Sequence, residues 1–115
     1  MPLDFSHILG KKVKGIIDRP IGCTHLNRFS GLTYPVNYGY VEDVFAADSE
    51  EQDIYFLGTD HPLSTFEGVV IAVIHRLNDI EDKWIVAPEG MTFTDDEIIR
   101  QIEFMEKHFD IELYR

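Results

Sequence analysis

Six consecutive apolar residues, Val69-Val70-Ile71-Ala72-Val73-Ile74, lie between Gly68 and His75 and constrain this chain more than any other segment. A largely β-branched run of this length, without polar alternation, reads as a strand covered by protein on both faces. It is also the longest apolar run in the sequence and far too short to cross a bilayer, so no membrane partner is expected.

The segments around it share its extended character. Val13 to Asp18 is β-branched enough for a strand that Pro20 and Gly22 close. Tyr34 to Phe45 is aromatic and β-branched, bent by Pro35 and Gly39. Asp53 to Leu57 reads as a short strand followed by a turn over Gly58 to Pro62, and Lys83 to Ala87 as another that Pro88-Glu89-Gly90 ends. The period then changes. Thr94-Asp95-Asp96-Glu97 is a capping box, after which Ile98, Ile102, Met105 and Phe109 fall on one helical face. Short strands followed by one helix predict a mainly β (α+β) fold, a small OB-like closed or curled β-barrel with a C-terminal amphipathic helix across an open end. With 115 residues and no repeat or linker, residues 1–115 are expected to form a single domain.

Charge narrows the partners. Twenty-one Asp and Glu against ten Lys and Arg leave a net charge of −11. Such a surface repels a phosphate backbone, so no nucleic-acid partner is expected, even though Tyr34, Tyr38 and Tyr40 could offer bases a stacking platform. Hard cations, by contrast, favour carboxylate oxygens. Cys23 is the only cysteine, which excludes an intramolecular disulfide or a thiolate zinc site and fits a reducing compartment. The segment from Met1 to His7 lacks the basic-then-apolar pattern of a signal peptide, so a cytoplasmic location is expected. The five histidines are scattered without ligand spacing.

Two acidic turns each precede a strand: Asp48-Ser49-Glu50-Glu51-Gln52-Asp53 and Asn78-Asp79-Ile80-Glu81-Asp82-Lys83. Each could be a plain solvated turn. If neighbouring strands bring them to one end of a barrel, however, like charges crowd, and a divalent cation relieves the crowding. An EF-hand is not expected, because Asp53 stands where that loop needs glycine. The run Tyr34-Pro35-Val36-Asn37-Tyr38-Gly39-Tyr40 adds hydroxyls that can bind phosphate oxygens or a metal-bound water.

That run, followed by Asp48-x-Glu50-x-x-Asp53, resembles the soluble inorganic pyrophosphatases of the magnesium-dependent, barrel-fold type. The likeness extends from about Lys14 to Pro88 and includes the second acidic turn with Lys83. It implies Asp48, Asp53, Asp79 and either Glu81 or Asp82 as metal ligands, with Glu50 and Tyr38 beside Asp53 at the attacking water. It implies Tyr34, Lys83 and one arginine, Arg28 or Arg19, as phosphate contacts, with Lys14 a weak substitute for N-terminal site residues. The implied cofactor is magnesium, with manganese as an alternative. The implied substrate is pyrophosphate or a related phosphoanhydride, arriving as a metal chelate. A homo-oligomer is compatible with the resemblance.

The departures are specific. Glu50 is one methylene longer than the family's aspartate, Glu51 replaces a proline, and Phe109-Asp110 stands where a tyrosine-lysine pair is expected. The reading is therefore magnesium-dependent hydrolysis of pyrophosphate by a metal-activated water. The alternative is a catalytically degenerate relative that binds metal and a phosphate ligand as a sensor or interaction module.

Overall fold

The computed structural model describes residues 5–24, 33–45, 50–77 and 81–115. Among these residues, six strands and one helix follow in the order β1 (Lys12–Arg19), β2 (Asn37–Phe45), β3 (Glu51–Phe56), β4 (Thr65–Arg76), β5 (Asp82–Ala87), α1 (Asp95–Glu106) and β6 (Ile111–Tyr114). The strands pair as β1-β2-β3-β5-β4, and a β1–β4 ladder closes the circle. All pairings are antiparallel except β3 with β5. This is the OB-like barrel expected from the strand pattern.

β4 organises the barrel. One of its edges carries β5 along most of its length. The other is shared, with Thr65–Val69 pairing to β1 and Val73–Arg76 to β6. The apolar run does face two layers. Val70 and Val73 point into the barrel with Val13, Ile17, Val41, Ile54, Phe56, Phe66, Trp84 and Val86. Ala72 and Ile74 point outward, beneath Ile98, Ile102 and Met105 of α1, together with Tyr55, Leu57 and Ile85. A register shift between Val70 and Ala72 lets one strand serve both layers.

The capping box forms as expected, with Thr94 accepting from the Glu97 amide and Glu97 accepting from the Thr94 amide. The position of the helix differs from expectation. It covers the outer wall of β3, β5 and β4 rather than an open end, because that wall is apolar and its burial drives docking. β6 was not expected: a four-residue strand after a helix carries too little pattern to stand out.

Two residues of the tyrosine run have structural duties. A Cβ on Gly39 would collide with the Ile16 carbonyl oxygen, so only glycine lets β1 and β2 approach this closely. Asn37 is fully buried and joins the turn after β1 to the loop between β3 and β4. Its Oδ1 accepts from the amides of Ile21 (3.0 Å) and Leu63 (3.2 Å), and its Nδ2 donates to Thr59 Oγ1 (3.0 Å) and the His61 carbonyl (3.1 Å). Asn37→Ala would leave two backbone amides unpaired, at about 1–3 kcal/mol each. We therefore expect urea unfolding of Asn37→Ala to show a loss of about 2–4 kcal/mol. A loss under about 1 kcal/mol would mean that water replaces the asparagine.

Candidate active site

Alternation on two parallel strands assembles the cluster. Because Ile54 is level with Trp84, Asp53 stands beside Lys83, one residue earlier on each strand. Both side chains point outward, as do Tyr55 and Ile85 two residues further on. Tyr38 approaches from β2, opposite Tyr55, with ring centroids 5.1 Å apart and edge-on.

Lys83 is the centre of this cluster. Its Nζ donates to Asp53 Oδ2 (2.8 Å), the Tyr38 hydroxyl (2.9 Å) and Glu81 Oε2 (3.2 Å), and its side chain is only 3% exposed. The Tyr38 hydroxyl in turn donates to Asp53 Oδ2 at 2.8 Å. An ammonium has three protons, and each has an acceptor here. The two acidic turns thus meet at one cation, with Asp53 contributed by the first and Glu81 by the second.

A second cation lies alongside. Arg76, the last residue of β4, has Nη1 3.9 Å from Glu81 Oε2. It grips Glu106 of α1 with two hydrogen bonds, Nε to Oε1 (2.9 Å) and Nη2 to Oε2 (2.6 Å). The Tyr55 hydroxyl also donates to Glu106 Oε2, and the Arg76 guanidinium lies 3.7 Å from the Phe109 ring centre. Arg76 and Glu106 are both buried.

Half-buried Arg19 and buried Tyr34 border the cluster. The register shift at Asp18 places Arg19 opposite Tyr38, and Arg19 Nη1 donates to the Tyr34 hydroxyl at 3.2 Å. The Tyr34 ring packs on Tyr38 and Phe104.

Protonation follows from these contacts. Burial, reinforced by the charge of Asp53, holds the Tyr38 hydroxyl well above its usual pKa. Burial and Glu106 do the same for Tyr55. Burial acts against the charge of Arg76, but the Glu106 carboxylate outweighs it and keeps the guanidinium pKa above normal. Asp18, near enough to feel Asp53, is raised by partial loss of solvation and by that charge, against its own backbone hydrogen bond.

Of the residues singled out by sequence, Asp53, Tyr38, Lys83 and Glu81 converge, and Tyr34 and Arg19 border them. Asp82 does not join. Strand alternation turns it to the side of Trp84 and Val86, where its Oδ1 lies 2.7 Å from His75 Nδ1. Lys14 lines a different cleft of about 340 Å³, with Glu42, Thr65 and Glu67. Glu50 is exposed just before β3. Asp48, Asp79 and Arg28 lie outside the described residues. Arg76, Glu106 and Tyr55 were not anticipated. Glu106 had a visible signal, since it continues the Ile98, Ile102 stripe by one more helical turn.

Whether these residues suit a resident magnesium depends on their free oxygens. Magnesium takes near-octahedral oxygen ligands, usually one or two carboxylates with substrate phosphates and water. Among the described residues, no group of three or more acidic, histidine or cysteine side chains is placed to hold a metal. Asp53 and Glu81 are instead engaged by Lys83, and Arg76 adds a further positive charge beside Glu81. The described residues by themselves do not fit a resident divalent ion.

No protein-family model matches the sequence. Solved structures of similar fold include an inorganic pyrophosphatase from Ehrlichia chaffeensis, at 15% identity and a TM-score of 0.72, covering 93% of this chain and 86% of that one. The inorganic pyrophosphatase of Thermus thermophilus aligns at 17% identity and a TM-score of 0.63, covering 100% and 86%. That of Neisseria gonorrhoeae aligns at 24% identity and a TM-score of 0.59, covering 92% and 81%. The barrel, with its helix on the outer wall, is thus the pyrophosphatase fold. Among the described residues, no helix is long and apolar enough to cross a membrane.

The tyrosine environments carry a pH signature. A folded-state pKa raised above the unfolded value contributes stability below about pH 10, and that contribution is lost as pH rises through the folded value. In an alkaline titration followed by tyrosinate absorbance, Tyr38 and Tyr55 should ionise only as the far-UV signal is lost. Removing either one, as Tyr38→Phe or Tyr55→Phe, should shrink that late phase. Reversible early ionisation of all five tyrosines would contradict the buried geometry.

Proposed function

We propose that this chain hydrolyses inorganic pyrophosphate, or a closely related phosphoanhydride, presented as its magnesium or manganese chelate. The observation that carries the reading is the Tyr38–Asp53–Lys83 triangle, held on the helix-covered wall of a pyrophosphatase fold. The neighbours' fold supports the reaction class, and the tyrosine run supports the substrate class.

Charge sets the order of events. A chain at −11 does not attract a bare polyanion, so the substrate comes with its cation. The chelated ion supplies charge neutralisation and a more acidic water. The chain supplies orientation. Arg19, half-buried beside the cluster, is the donor for a terminal phosphate, and the buried Tyr34 hydroxyl, which accepts from Arg19, orients it as a proposed part of that contact. Lys83 and Tyr38 hold the Asp53 carboxylate in one orientation through its Oδ2. Asp48, Asp79 and Arg28 are further proposed contacts of the chelate, and Glu50 is proposed to face the attacking water.

A specific observation favours a second reading. Because all three Lys83 protons are taken within the protein, none is left to neutralise charge on a reacting phosphate, so the wall lacks a catalytic donor while Arg19 can still bind a phosphate ligand. Phosphate release from pyrophosphate and from nucleotides, with magnesium and then manganese, separates the two. The hydrolase reading expects metal-dependent release that falls by about 10² or more in Asp53→Asn. Full activity in that variant would remove Asp53 from the site. Calorimetric binding of pyrophosphate without release would select the binding module.

A further inference from the structure

The acidic wall already contains its own counter-ions. Three carboxylates, Asp53, Glu81 and Glu106, face two cations, Lys83 and Arg76. Lys83 bridges Asp53 and Glu81, and Arg76 bridges Glu81 and Glu106, so the charges alternate along the wall.

Arg76 is fixed in that row. Glu106 holds it through two hydrogen bonds, Phe109 covers its flat face, and the Tyr55 hydroxyl occupies the Glu106 oxygen that Arg76 shares. A guanidinium remains charged at any pH the fold survives. A divalent ion on Glu81 would therefore meet a buried, immovable positive charge at contact range.

We propose that Arg76 is a resident cation of this site, replacing a divalent ion beside Glu81, so that Glu81 is a partner of Arg76 and Lys83 and not a metal ligand. The phosphate-bearing substrate then supplies its own metal, which engages the wall from the Asp53 side. This inference rests on the site reading above, but it concerns metal binding and can fail independently of hydrolysis.

Manganese binding to the intact chain, followed by electron paramagnetic resonance without substrate, tests it. Glu81→Gln leaves the Arg76–Glu106 pair in place and should leave manganese affinity unchanged within about twofold. Loss of binding in Glu81→Gln would make Glu81 a metal ligand and overturn the proposal. The double variant Arg76→Gln/Glu106→Gln removes the buried pair together and avoids stranding one charge. With its fold verified by circular dichroism, it should bind manganese at least about tenfold more tightly, or gain an ion. Adding Glu81→Gln should abolish that gain. Unchanged affinity in the folded double variant would show that Arg76 only braces the helix. Phosphate release is read separately, so an inactive wild type with the expected manganese pattern would overturn the hydrolase reading and not this one.

Discussion

A buried ammonium shared by two carboxylates and a phenol is the interaction on which the outer wall of this barrel depends. Taking a lysine out of water costs several kcal/mol, and only well-placed acceptors compensate for that cost. Here they come from three parts of the chain: Tyr38 of β2, Asp53 of β3 and Glu81 just before β5. The parallel pairing of β3 with β5 brings Asp53 level with Lys83. Had β3 and β5 slipped by one residue, alternation would turn one of the two side chains into the barrel interior.

The same wall shows how a small barrel can carry polar chemistry next to a dry core. Ile74, Ile85 and Tyr55 continue outward from the strands and are covered by Ile98 and Ile102 of α1. Where that apolar patch ends, Glu106 enters from the helix and meets Arg76 and Tyr55. The helix is therefore docked by apolar contacts along its length and by a buried ion pair near its C-terminal end. Removing one member of such a pair is far more damaging than never having had it, since an unpaired buried charge is left behind.

Much of the fold was legible in the residues. β-branched runs marked five strands, the unalternating run marked the one covered on both faces, and Thr94 with Glu97 marked the helix start. For the site, the tyrosine run and the two acidic turns pointed to Asp53, Tyr38, Lys83 and Glu81, which do come together. The choice between Glu81 and Asp82 was not legible. Adjacent residues at the mouth of a strand face opposite sides, and only the phase of β5 decides which of them shares a side with Asp53. Arg76 was hidden for a related reason, since an arginine at the end of an apolar strand looks like a solvent anchor until a helix brings Glu106 to it.

By itself, the sequence determined the elements and their chemistry: periodicity records which residues share a face, and residue type records which can bear charge or bind oxygen. It also determined the excess of acid that makes cations necessary. Tertiary structure alone decided where those cations come from. Pairing β3 with β5 and laying α1 over the wall bring residues as far apart as Asp53 and Lys83, or Arg76 and Glu106, within hydrogen-bonding distance. The physical reason is range, because local patterns act over a few residues, whereas the energy of a buried charge is set by whatever the folded chain places within a few ångströms.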